Sequence, residues 1–485
     1  MSKRYAVIGG GLSGLAAAYQ IRQSEPDAEL CILEAADRPG GVIDTETVDT
    51  PQGRFVIDHG ADMFAVDPPA ALDLCRELGV EDSLLVPDAA KAGAMIVSKG
   101  RLVPIPDGFV LMRATKLWQM VRTPLLSVSG KARFLAERFI RPFPQHVRGL
   151  QSKPLHEIED LSVGEFVRHR MGQELLDRLV GPLVAGIYTA DVDKLSLHAT
   201  MAPIVSMVRR HGSLASATLA RRKQDGDQAE RNSAGARYAK FRGFPNGMKQ
   251  LIDLLVDAVG HDALRLNQCV RQLELLPSKQ WLLTLDGDQP TFDSVILATP
   301  SAVTAKLLES VVADAAEKRE AIEAAQHLRG IESASAAIVV LCIPKKRIRA
   351  LPERFGFVVP LIENRSILAA SFASHKYAPR CPADHTIVRV FIGGAMQPEL
   401  LEQSDDALVE LAREELSQLI GLDGRETLAR VVRWNHAMPQ YHVGHLQRVS
   451  KIEHCFDRIP RLHLATNALH GVGIAPVIAN ARRVA

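Results

Sequence analysis

The chain has 485 residues, 47% of them hydrophobic and 24% charged, which excludes a disordered, collagen-like or coiled-coil protein. At about 150 residues per domain the length allows roughly three domains, or one intertwined pair of large ones. Lys+Arg is 58 against Asp+Glu 56, a net charge of +2, so no nucleic-acid partner is expected.

In chain order, Tyr5–Ile8 reads as a buried strand, Gly9–Gly14 as a glycine turn, Leu15–Ile21 as a helix, and Leu30–Leu33 as a second strand ending at Glu34. Residues 1–4 leave no room for a signal peptide. A short helix over 70–79 closes at Gly79. Residues 109–141 are apolar and basic together. There Arg113, Lys116, Arg122, Lys131, Arg133, Arg138 and Arg141 oppose the single acid Glu137, interleaved with Phe109, Leu111, Met112, Leu117, Trp118 and Val121. Such a surface suits either an anionic membrane interface or a helical cap that attracts substrate carboxylates. Residues 206–242, with Arg209, Arg210, Arg221, Arg222, Lys223 and Gly226, read as a long mobile loop. Trp281–Leu285 alternates as a strand and turns at Asp286–Asp288. Val295–Ala298 and Ala336–Ile343 are buried strands, the latter far short of the ~20 residues a spanning helix needs. Residues 404–420 form a helix with Ser404 as N-cap and Gly421 as its stop. The six cysteines form no CxxC pair, so neither a metal cluster nor a disulfide framework is expected, and a reducing cytoplasmic setting fits.

Gly9, Gly11 and Gly14 match G-x-G-x-x-G, with Gly10, Leu12 and Ser13 between them. The first glycine permits the tight turn, the second lets backbone N–H groups approach a pyrophosphate, and the third lets helix pack on strand. The helix N-terminus offers free donors to phosphate, and Glu34 lies where an acid bonds the adenosine ribose. Glu34 followed by Ala35, Arg38, Gly41 and Val42 points to FAD rather than NAD. No flavinylation motif accompanies it, so the FAD is expected to be noncovalent. Near the C-terminus Gly471, Val472, Gly473 and Ile474 open a second helix, whose N-terminus would stabilise negative charge on the reduced flavin.

With these residues stand Gly181–Tyr188, Lys194–Leu197, Ser371–Ser374 with Pro379–Pro382, Phe391–Gly394, and Trp434–Tyr441 ending in Gly444–His445. Together they resemble the FAD-dependent protoporphyrinogen/coproporphyrinogen oxidase family, within the monoamine-oxidase-like flavoproteins, over nearly the whole chain. The resemblance implies an α/β fold: a Rossmann-like FAD domain (1–90, 241–300, 430–485) interleaved with a mixed-sheet substrate domain (301–429) and a helical cap (91–205), with a mobile loop at 206–240. It implies that Gly60, Ala61, Asp62 and Met63 run along the flavin, that Val270 meets the adenine end, and that Trp434 lies beside the isoalloxazine. Gly186 and Ile187, with Val358, Leu368 and Val388, would wall a tetrapyrrole pocket. The implied reaction is six-electron oxidation of a porphyrinogen in haem biosynthesis. Hydride passes to the flavin in three rounds, with dioxygen as acceptor, hydrogen peroxide as by-product, and ferrochelatase receiving the product.

The sequence departs from the family at Ala465–Thr466, at Asn480–Ala481, and at Ala94, where mitochondrial members carry a carboxylate-clamping arginine. Lys91, Lys99 and Arg101 are expected to cluster in its place and to favour the four propionates of coproporphyrinogen over the two of protoporphyrinogen. No acid–base dyad is evident, so no catalytic side chain is assigned. His59 and His445 read as structural, and Tyr441 is open between a hydrogen bond near the flavin and a core position. An amine- or carotenoid-type oxidoreductase, and an inactive flavin- or tetrapyrrole-binding protein, remain alternatives.

Overall fold

A computed structural model describes residues 2–110, 112–141, 143, 154–222 and 240–485. Leu111, Lys223 and Gly226 lie outside the described residues, and no side chain is described for Arg221 or Arg222.

The chain opens with β1 (Arg4–Ile8), α1 (Leu12–Ser24) and β2 (Glu29–Leu33), then reaches the hairpin β3 (Ala94–Ser98) and β4 (Arg101–Pro104). The cap follows, with α2 (Leu117–Arg122), α3 (Val128–Leu135), α4 (Gly181–Tyr188), α5 (Ala202–His211) and α6 (Leu214–Arg222). Next come α7 (Lys249–Val259), β5 (Leu264–Arg265), β6 (Ser294–Leu297), α8 (Ser301–Glu309), α9 (Ala315–Arg329) and β7 (Ser333–Pro344). The chain ends with β8 (Gly356–Val358), β9 (Ala369–Phe372), β10 (His385–Gly393), α10 (Asp405–Ile420), β11 (Leu428–Pro439), α11 (His445–Phe456), β12 (Leu462–Leu464) and α12 (Ile474–Val484).

Two sheets carry the architecture. The first, ordered β5-β2-β1-β6-β12, is parallel throughout. Its strands are apolar on both faces because each face is covered by helices. One face packs on α1, α7 and α12, the other on α8, α9 and α11. The second sheet, ordered β11-β7-β10-β9-β8-β3-β4, is mixed, with one parallel pair, β8 with β3. One of its faces is sealed by α10 through Leu408, Ala412 and Leu416. The Ser404 side chain caps α10, accepting from Ala407 N at 3.3 Å, and Gly421 ends it at φ 67°, as the sequence predicts.

The domain boundaries differ from the sequence expectation. Residues 301–330 pack into the core of the parallel sheet, because Ala305, Leu308, Ala321 and Ala325 supply small faces against Ala6, Ile8 and Val295. β11 pairs along β7 and so belongs to the substrate sheet, although its chain neighbours return to the first sheet. Hairpin β3–β4 is an edge of that same sheet rather than part of the cap. The stretch 206–222, expected as loop, is α5 and α6. Val208, Leu214 and Ala217 are buried there, an apolar spacing that the surrounding arginines masked.

Candidate functional site

The glycine turn is dictated by close approach. A Cβ on Gly9 (φ 111°) would lie 2.7 Å from Ala298 O, and one on Gly14 would lie 1.9 Å from Gly9 O, so no other residue fits. A Cβ on Gly11 meets nothing within 4 Å. That open space, at the N-terminus of α1 where N–H groups lack intrahelical partners, fits a pyrophosphate. Glu34 reaches back to the turn, its carboxylate accepting from Gly10 N at 2.6 Å and Ala36 N at 2.8 Å. Glu34 O accepts from Gln268 N at 2.8 Å, which brings the Val270 segment alongside. Gly40 bridges to Gly11, and Arg38 donates to Pro39 O and Gly41 O at 3.1 and 2.9 Å, so its guanidinium fastens its own loop. Gly41, Val42 and Ala61 are exposed, as the lining of a groove would be.

The segment 59–63 lies between the Val42 loop and the substrate sheet. Gly60 sits against Val42, where a Cβ would be 2.2 Å from Val42 O. Trp434, on β11, donates its indole N–H to His59 O at 2.9 Å. Arg389, on β10, donates to Gly60 O and lies 3.2 Å from the Asp62 carboxylate. Lys376 donates to Asp62 at 2.7 Å. All three of these charged side chains are buried. Burial works to raise the Asp62 carboxyl, but attraction to Lys376 and Arg389 outweighs it and holds the group well below the usual carboxylate range. Burial pushes the Lys376 ammonium down, against the pull of Asp62. Sequence reasoning named Asp62 and missed both cations. The signal for Arg389 was a charge in the apolar run Ile387–Ile392, whereas Lys376 sits in the polar stretch Ser374–Tyr377, and nothing local said that they meet. His59 stands 2.9 Å from Asp44 and 3.5 Å from Glu46.

On the substrate sheet, register decides what faces the cap. Val358 pairs with Ala369, Ala369 with Phe391, and Phe391 with Ile338. Side chains opposite one another in a ladder share a face. Val358, Phe391 and Arg389 are therefore on the face away from α10. Val388 is on the other face, in the core against α10, and Leu368 lies with Val359 and Gly393 along an outer groove. Val388 is corrected as a pocket wall, because alternation places it on the face opposite Val358, whereas Leu368 lines a groove shared with Pro182 and Ala185 of α4. Phe391 packs instead against the cluster of Phe55, Ile57 and Ile338. Gly186 of α4 packs on this face, its Cβ position 3.3 Å from Val358 Cγ1, and the neighbouring Ile187 is 49% exposed.

The cation cluster expected near Ala94 does not form. Lys91 lies before β3 and pairs with Glu353 at 3.4 Å, whereas Lys99 and Arg101 are beyond its other end. Ala94 is buried. In the cap, Glu137 is buried and paired with Arg170 at 2.5 Å, and it also accepts from Leu214 N and Ala215 N. Arg113 is buried as well. Trp118 (60% exposed), Val128 (85%) and Phe139 (82%) project outward with Arg122 and Arg138. Thr466 and Asn480, the departures near the C-terminus, are both buried, and each makes a local side-chain hydrogen bond.

Residues 12–485 match the model of the flavin-containing amine oxidoreductases. The chain belongs to that family. Its cofactor is accordingly FAD, and it is a flavin-dependent oxidoreductase. This member of the family is 30% identical to coproporphyrinogen III oxidase of Bacillus subtilis over 98% of its own length and 96% of the relative's. It is 32% identical to coproporphyrinogen III oxidase of Propionibacterium freudenreichii, covering 99% and 89%. Protoporphyrinogen oxidase 2 of Arabidopsis thaliana is 24% identical, covering 100% and 93%. Among solved structures, a protein of Exiguobacterium sp. 255-15 assigned as a protoporphyrinogen oxidase superimposes with TM-score 0.82 at 26% identity, covering 100% and 98%. An engineered putrescine oxidase, at TM-score 0.69 and 16% identity over 99% and 97%, shares the fold alone. None of the described helices is long and apolar enough to cross a membrane.

Proposed function

We propose that this flavoprotein oxidises a porphyrinogen, with coproporphyrinogen III as the preferred substrate, to the corresponding porphyrin. The observation that carries the reading is near full-length similarity to coproporphyrinogen III oxidases, joined to the apolar contact of Val358 with the Gly186 position of α4. Bound FAD supplies hydride acceptance from the methylene bridges. The chain's residues hold it. The Gly9–Gly14 turn would take the pyrophosphate, Glu34 and Val270 the adenosine end, and Gly60–Met63 with Trp434 the ring system. Gly471–Ile474 would meet the pyrimidine edge. Val358 with Gly186 and Ile187 would position a flat macrocycle and keep water from it.

Anaerobic mixing tests this. Coproporphyrinogen III is expected to bleach the flavin faster than protoporphyrinogen IX, and acid precipitation is expected to release all flavin. Failure of both porphyrinogens to reduce the flavin rejects the proposal.

We extend it to dioxygen as acceptor, with peroxide formed in step with porphyrin, and to hand-off of the product to ferrochelatase. The outward Trp118, Val128 and Phe139 beside Arg122 and Arg138 support peripheral contact with an anionic membrane. Sedimentation with anionic vesicles at low salt is expected, and its absence rejects that contact.

A further inference from the structure

The loop 467–471 leads from β12 toward α12, and two side chains of one short segment grip it. Tyr441 Oη donates to Asn467 O at 2.5 Å and accepts from Gly471 N at 2.7 Å. His445 Nε2 lies 3.0 Å from Leu469 O. A carbonyl only accepts, so that nitrogen carries the proton. Burial pushes the imidazole down to about 4, so it is neutral at neutral pH. The two rings stack, 4.0 Å between centroids and 14° apart, and both residues are buried.

The gripping segment is itself tied to the cap. Ser196 N donates to Tyr441 O at 2.7 Å, and Val443 N to Lys194 O at 2.8 Å. Asp160 accepts from Gly444 N at 3.0 Å and from Ser196 Oγ at 2.6 Å. Tyr441 therefore holds the cap by its backbone and the loop by its hydroxyl.

The loop sets the aim of a helix end that its own residues leave open. Gly473 stands at the N-cap of α12 and offers no side-chain cap. The first-turn N–H groups are without intrahelical partners, and the field of a helix end fades within about a turn. A small rotation of the loop would redirect that field.

We propose that Tyr441 is a positioning residue that fixes the α12 N-terminus against the bound flavin, with His445 as its second grip. This rests on the reading that α12 opens onto the flavin. Tyr441→Phe keeps the ring and its stack and removes both hydroxyl bonds. The expected result is an FAD dissociation constant raised about tenfold, a flavin midpoint potential moved to more negative values in a dye-equilibrated reductive titration, and an apoprotein thermal midpoint near wild type. His445→Gln, which retains an amide donor, is expected to hold FAD within about twofold of wild type. Equal lowering of apo and holo thermal midpoints, with FAD affinity and potential unchanged, overturns the proposal and leaves Tyr441 a core residue. Should Tyr441→Phe fail to fold, His445→Leu decides the same question, and an unchanged potential overturns it. These measurements use no porphyrinogen, so failure of the substrate reading would appear separately, as a wild-type flavin that neither porphyrinogen reduces.

Discussion

The two halves that meet at the site are held by different physics. Around the glycine turn the constraint is steric: backbone atoms approach so closely, Ala298 O to Gly9 and Gly9 O to Gly14, that neither glycine admits a side chain, and one acid thirty-odd residues into the chain closes the turn. Across the substrate sheet the constraint is electrostatic and distant in sequence. Asp62 meets Lys376 and Arg389, and Asp58 meets the buried Arg380, each over more than three hundred residues. The first half binds by leaving space. The second aligns by burying charge, which is costly unless fully paired.

The largest expected effect separates binding from folding in the first half. Gly11→Val fills the open space at the turn, so FAD affinity should fall by more than about 100-fold, roughly 3 kcal/mol. The apoprotein should melt near wild type, because a Cβ at Gly11 meets nothing within 4 Å. Flavin fluorescence titration with calorimetry checks both, and retained FAD would show that the turn is not the phosphate site.

In the second half the same experiment should give the opposite pattern. Asp62→Ala strands two buried cations and is expected to cost roughly 3–5 kcal/mol of folding stability, measured by urea unfolding of the apoprotein. The carboxyl is held below its unfolded value of about 4. Its contribution is therefore present above about pH 4 and is lost as pH falls below that, so the variant and wild type should converge in acid.

A smaller effect tests the joint between the halves. His445 is depressed to about 4 in the fold against about 6.5 unfolded. Between those values the unfolded chain holds the extra proton, so stability rises with pH there and falls on acidification, by up to about 3 kcal/mol. His445→Gln should flatten that part of the stability curve, and an unchanged slope would assign it to other buried histidines.

The smallest effect concerns the exposed rim. Arg101→Gln should raise the Michaelis constant for coproporphyrinogen about twofold, since exposed charges contribute less than about 1 kcal/mol. Lys91→Gln should leave it unchanged, because Lys91 lies beyond the opposite end of β3.

Much of this was legible in the sequence. The strand–turn–helix–strand–acid unit, the capped helix 405–420 and the apolar strand at 336–343 depend on neighbours in the chain: a glycine where a Cβ would clash, a serine accepting from an N–H three residues on, a run of β-branched residues. The tertiary structure alone decided which side chains converge. Val388 and Phe391 are equally apolar in sequence, yet strand parity buries one under α10 and turns the other to the opposite face, against Phe55 and Ile57, and a register error of one residue inverts that choice. Residues 301–330 joined the parallel sheet through small alanine faces that only a packed partner reveals. Lys376, Arg389 and the hydroxyl of Tyr441 find their partners through long-range packing, and no local pattern records a contact that two distant segments make only after the chain has folded.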